Sequence, residues 1–252
     1  MIQALRTGGP RARMAAAWAV ALVLGAMTMT LADLAYRILP RPQPLEELSY
    51  YPSGQNLELV SLGHAQAASD LAWLRAVQYY GEHRVTDMRF TRMTHVFDIL
   101  TSLSPGFTAA YVFGAFAMAQ EGFDFPEAEK LMLKGLENNP RSGVLAFELG
   151  FLYYMRPGGR DLHHAAQYFE QAARQPDGPP ESERFAAYSR QNAGDLHIAY
   201  ELWLEVSRSS ANKYLRQMAE REMRRIREAL ATGDSSIAVK RLTTPQVLIR
   251  RR

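Results

Sequence analysis

The strongest constraint in this sequence is a register. Met93, Ala128, Ala165 and Ala199 follow one another at steps of 35, 37 and 34 residues. Four residues after each stands a large apolar side chain, Phe97, Met132, Phe169 and Trp203, and three of those are followed by a proline, Pro105, Pro140 and Pro176. Small residues recur in parallel at Gly81, Gly114 and Gly150, 33 and 36 residues apart. Within each interval, apolar residues fall at three- and four-residue spacing with almost no strand-like alternation, which predicts helices, and proline cannot continue a helix. A sequence repeating at this length builds one supersecondary unit per period, too thin to bury its apolar side unless the next unit covers it.

The spacing, together with Leu149-Gly150-x-x-Tyr153 followed by Ala165-x-x-x-Phe169-x-x-Ala172, resembles the tetratricopeptide repeat (TPR) family. The resemblance covers roughly residues 70–210. It implies an all-α, TPR-like helical-hairpin solenoid of about four units. In it, Gly81, Gly114 and Gly150 would let the two helices of a unit approach, Ala128, Ala165 and Ala199 would face them, and the prolines would close the units. The pattern is degenerate. Glycine-to-alanine spacing is 14 and 15 in the second and third units, which puts extra residues in the turns at 122–126 and 157–160. Met93 replaces alanine in the first unit, and the fourth lacks the glycine and has a short first helix starting near Glu181.

Ahead of the repeats, residues 14–32 form a run of 19 without a charge. As a helix it is about 28 Å long, close to the hydrocarbon thickness of a bilayer. Arg6, Arg11 and Arg13 precede it, so the positive-inside rule places the N-terminus in the cytoplasm and the body beyond the membrane. A cleaved signal peptide is the alternative, with Thr30-Leu31-Ala32 as its cleavage site, although a secretory apolar stretch is usually only about 7–15 residues. Ala17, Ala21 and Gly25 form a small-residue stripe that permits close packing of spanning helices. The expected organisation is a cytoplasmic N-terminus (1–13), a signal anchor (14–36), a proline-rich spacer (37–56) around Pro40, Pro42 and Pro44, repeats (57–211), a capping helix (212–231) and a flexible basic tail (232–252). The cap places Leu215, Met218, Ala219, Met223, Ile226 and Leu230 on one side.

The net charge of +3 conceals a division. Residues 1–44 carry +4 and residues 232–252 another +4, which leaves the stretch between them at −5. An acidic body offers no face for phosphates, which argues against nucleic acid. With no cysteine there is no disulfide, thiolate zinc site or iron–sulfur cluster. No phosphate loop, nucleophile elbow or HExxH motif occurs, and Pro157-Gly158-Gly159-Arg160 lacks the Lys-Ser/Thr that a phosphate cradle needs. His163 and His164 are adjacent, about 100° apart on a helix, and cannot hold one metal from the same face. No catalytic residue, metal or cofactor is expected.

The inner wall of a solenoid, formed by the first helix of each unit, is its usual binding surface. Counted from the glycine register, that wall carries Arg75, Gln78, Tyr111, Phe147, Phe151, Tyr154, Phe185 and Tyr188 as the expected partner-binding residues. Its aromatics suit a peptide or a partner's helix, or else they fill the interior of a tight stack. The sequence thus points to an inner-membrane, single-pass scaffold whose periplasmic domain binds a segment of another envelope protein. The alternative is an auxiliary subunit of a membrane enzyme, or of a secretion, pilus or cytochrome-maturation complex, that docks through its transmembrane helix.

Overall fold

A computed structural model of the chain describes residues 10–38 and 61–239, which form ten α-helices, a short 3-10 turn and no strand. Residues 1–9 of the expected cytoplasmic N-terminus, residues 39–60 with the proline-rich stretch, and residues 240–252 of the expected basic tail lie outside the described residues. The chain divides into two units, Met1–Tyr50 and Tyr51–Arg252.

The first unit contains α1 (Pro10–Ile38). Its stretch Met14–Ala35 is long and apolar enough to cross a membrane, and none of it is buried. The helix runs past the expected boundary at 36, where an Asp33–Arg37 ion pair of 2.8 Å joins successive turns.

The second unit is built from α2 (Ala65–Val85), α3 (Met93–Leu103), α4 (Thr108–Gln120), α5 (Phe125–Asn138), α6 (Gly143–Tyr154), α7 (Leu162–Ala173), α8 (Ser182–Ala193), α9 (Leu196–Ser209) and α10 (Lys213–Thr232). Each helix packs chiefly on its neighbours in sequence, and α3 also meets α5 while α4 meets α6. The ends are set locally. The Asp124 carboxylate accepts from the Glu127 N–H with Pro126 in the first turn, the Ser142 hydroxyl accepts from Leu145, and Asn212 caps α10. Gly194 and Gly233 end α8 and α10 in the left-handed region, φ +95° and +72°, where a side chain is strained.

The alanine register is the core of this unit. Met93, Ala128, Ala165 and Ala199 are all buried, as are Phe97, Met132, Phe169 and Trp203 four residues on. Two of the three glycines sit at close approaches: a Cβ on Gly114 would lie 2.6 Å from the Phe97 ring, and one on Gly150 would lie 2.9 Å from the Phe169 ring. Gly81 does not do this. A Cβ there would meet nothing within 4 Å, because that side of α2 faces outward.

At the C-terminal end the expectations need two corrections. In α10 the buried seam is Ala219, Met223, Ile226 and Ala229, whereas Leu230 is exposed. Residues 232–239 are not the flexible tail expected from Thr232, because Ser235–Ile237 forms a 3-10 turn and Ala238 is wholly buried against α8, α9 and α10. A polar network holds it. The Trp203 indole donates to Gln191 Oε1 (2.6 Å), Gln191 Nε2 donates to the Ala238 carbonyl (2.9 Å) and to Glu222 (2.8 Å), and Arg225 donates to the Ile237 carbonyl (2.8 Å).

Asp161 supplies a pH-dependent element of this fold. It caps α7 through the His164 N–H and lies 2.7 Å from the His164 ring. Burial raises its carboxyl, but the His164 ring, the His164 N–H and Arg156 outweigh that, and the net shift is downward. A carboxyl lowered in the folded state stabilises fully above its unfolded pKa, and that stability drains away as pH falls through the folded one. Asp161→Ala should therefore cost about 0.5–2 kcal/mol at neutral pH through the lost cap. It should also make the decline of melting temperature below about pH 4 shallower. Equal acid slopes in the two chains would refute the role of this carboxylate.

Candidate functional site

An open recess of about 760 Å³ lies among α2, α4 and α6. Its wall is aromatic and aliphatic: Trp73 and Tyr80 from α2, Val112, Phe113 and Phe116 from α4, and Val144 from α6. Phe113 fixes the arrangement, with its ring edge-on to Trp73 (5.5 Å between centroids) and to Tyr80 (5.1 Å). Such pairs contribute about 0.5–1.5 kcal/mol each beyond burial, which holds the rings in place while one side of each remains open.

Two carboxylates interrupt this apolar wall. Glu121 accepts a hydrogen bond from the Tyr80 hydroxyl (2.7 Å) and lies 3.3 Å from Arg84, but its Oε2 is buried with no hydrogen-bond partner. Glu148 lines the same recess, and burial alone pushes its carboxyl up. No ion pair reaches it among the described residues. A carboxylate removed from water without a cation is costly, so Glu148 favours a positive charge brought in from outside, and the free Oε2 of Glu121, whose Oε1 already faces Arg84, can accept a donor on the same ligand.

The expected wall residues divide into three groups. Phe147, Phe151, Tyr154, Phe185 and Tyr188 come together as half-buried rings on α6 and α8. Phe151 stacks on Phe147 (6.4 Å) and on Tyr154 (6.0 Å), and Phe185 stands edge-on to all three. Arg160 lies over the Tyr154 ring (4.8 Å) and Arg184 over Phe185 (5.2 Å), and Tyr154, Phe185 and Tyr188 border a second recess of about 240 Å³. These rings therefore serve as core on one side and as wall on the other.

Tyr111 is a correction. It is wholly buried, packed on Gly135, and its hydroxyl donates to the Pro105 carbonyl and accepts from Asn138. Arg75 and Gln78 are exposed but lie about 140–160° round α2 from Trp73 and Tyr80, away from the recess. The glycine count does not pick out Trp73, Tyr80, Phe113, Phe116 or either carboxylate. It transfers the register of α6 to α4, yet α4 is apolar on every side and turns Phe113 and Phe116, not Tyr111, to the opening. Their one signal in the sequence is an aromatic pair three residues apart, beside acids that no basic residue on α4 or α6 answers.

The histidine pair behaves as two separate groups: His163 lies 3.3 Å from Asp195 and His164 2.7 Å from Asp161. Among the described residues no three His, Asp or Glu side chains gather as a metal site. No family model, curated protein or solved structure matches this chain.

Proposed function

We propose that this protein is a membrane-anchored, TPR-like helical-repeat scaffold whose repeat domain works on the periplasmic side of a bacterial inner membrane. There it captures a segment of another envelope protein. The apolar helix α1 behind three arginines supports the anchor and its orientation. Packing of each helix on its sequence neighbours, with Ala128, Ala165 and Ala199 all buried, supports the repeat architecture. The anchor confines the domain to the bilayer and raises its effective concentration towards other membrane proteins.

One observation carries the binding role: an open aromatic recess containing a buried, unpartnered carboxylate oxygen of Glu121 and a desolvated Glu148. The segment that fits it presents apolar side chains around a lysine or arginine. Aromatic walls supply contact area with few torsions to freeze, and the carboxylates add selectivity for the cation.

A photoreactive residue at Val144, on the recess rim, in the full-length chain in native membranes tests this. A discrete protein adduct is expected, and Glu148→Gln should weaken it while raising the melting temperature, because the variant loses a desolvated charge. Absence of an adduct, or an adduct indifferent to both Glu148→Gln and Phe116→Ala, would overturn the proposal. Replacing α1 by an unrelated span should leave the adduct intact. Its loss would instead favour a subunit that docks through its spanning helix.

A further inference from the structure

Helix α2 has two apolar faces, and only one is used. Ser69, Ala72, Ala76, Tyr79 and His83 are buried, with Trp73 and Tyr80 beside them at the recess. On the opposite side Ala67, Leu71, Leu74, Gln78, Gly81 and Val85 follow at alternating steps of four and three, and all six are exposed. Leu71 is 62% exposed, Leu74 58% and Val85 82%, far more than a fold needs to leave to water. Alternating four-three spacing over 19 residues is the seam of a two-helix coiled coil.

The order of sizes along the seam says which helix would cover it. Turned end for end about the level of Ala76, the stripe meets itself with Ala67 opposite Val85, Leu71 opposite Gly81 and Leu74 opposite Gln78. In two of the three pairs a large residue falls opposite a small one, and the Gln78 stem lies against Leu74, which lets two helices interdigitate at close range. A two-fold interface requires this property, because each residue i that meets j must also be the j that meets i. The flanking charges agree: Asp70 falls beside the second copy's Arg84 on the same flank, twice by symmetry. Only Arg75 comes nearest its own copy, a surface like-charge contact of small cost. Gly81 is otherwise without a role, since a Cβ there would touch nothing within 4 Å.

We infer that a second copy of this chain covers the outer face of α2, antiparallel, with the two-fold axis level with Ala76. The interface lies on the opposite side of α2 from the recess and shares with it only Arg84, which also lies 3.3 Å from Glu121.

The full-length chain in detergent, which lacks cysteine, gives a clean test. Its protein mass is expected to be that of a dimer. Gly81→Leu should weaken association about a hundredfold, since each substitution is felt twice. It should leave the circular dichroism and melting of the dissociated chain intact, because the site is open. Leu74→Lys, exposed in the single chain, serves as a second disrupting variant. Chains carrying Leu71→Cys mixed with chains carrying Gly81→Cys should form an intermolecular disulfide, whereas Leu71→Cys alone should not. Its two sulfurs would be about 15 Å apart along the axis, well beyond disulfide reach. A monomer, a dimer insensitive to both Gly81→Leu and Leu74→Lys, or a disulfide formed by Leu71→Cys alone would each overturn the inference.

Discussion

Trp203→Ala is expected to destabilise the second helical unit by about 3–5 kcal/mol. Trp203 is the largest wholly buried side chain, and it joins α9 to α8 and α10 within one apolar cluster. Truncation leaves a cavity in a cluster that is rich in alanine (Ala187, Ala199, Ala219, Ala229 and Ala238), whose short side chains on fixed helices cannot fill it. It also strips Gln191 Oε1 of the indole N–H that donates to it at 2.6 Å. Trp203→Phe separates the two effects: it keeps most of the volume but leaves the amide oxygen unsatisfied, for about 1–3 kcal/mol. Because Gln191 also holds the Ala238 carbonyl, amide exchange in residues 235–239 should rise in both variants. Thermal denaturation measures the first effect, and a loss under about 1 kcal/mol for the alanine variant would mean that this cluster does not hold the C-terminal helices together.

The second large effect belongs to a glycine. Gly178, in the connection from α7 to α8, has room for no side chain: a Cβ would lie 2.0 Å from the Ala172 carbonyl oxygen and 3.1 Å from that of Gln175. A Cβ on Gly143, at the start of α6, would lie 2.6 Å from the backbone of Gly178. The two chain segments touch backbone to backbone, and Asp177 exploits that closeness by accepting the Gly143 N–H at 2.7 Å. Backbone cannot rotate away as a side chain can. Gly178→Ala should therefore cost about 3 kcal/mol or more, at the upper end for overpacking, and lower the melting temperature by about 6–12 °C. Asp177→Ala, which removes only the capping carboxylate, should cost about 1 kcal/mol. Equal melting temperatures for Gly178→Ala and the parent chain would show that the contact relaxes without strain.

The two features differ in how far the sequence reveals them. Trp203 stands in a register that can be counted along the chain, so its burial is legible from spacing alone. The Gly143–Gly178 contact joins residues 35 positions apart through a connection with no periodicity, and nothing local announces it. The recess falls between these cases. The glycine count places Phe147, Phe151 and Tyr154 correctly as neighbours because α6 follows it, but the same count puts Tyr111 at the opening when it belongs inside. In α4, thirteen residues hold neither a charge nor a polar face, so rotating the helix by one or two positions exchanges one apolar side for another. Glu121 and Glu148 gain their meaning only from the rings around them, since desolvation is a property of surroundings.

The sequence by itself determined the helical class, several of the helix limits, the apolar N-terminal span and the buried alanine register. These follow from interactions within a few residues: caps, prolines, glycines in the left-handed region and a 3.6-residue period. Tertiary structure alone decided which apolar face of each helix is covered. It turned Gly81 and the leucines beside it outward, opened the wall at Phe113 and Phe116, and fastened Ala238 beneath Gln191. A periodic pattern marks a face as apolar, but only the shapes of distant neighbours determine which such face finds a partner within the chain and which is left without one.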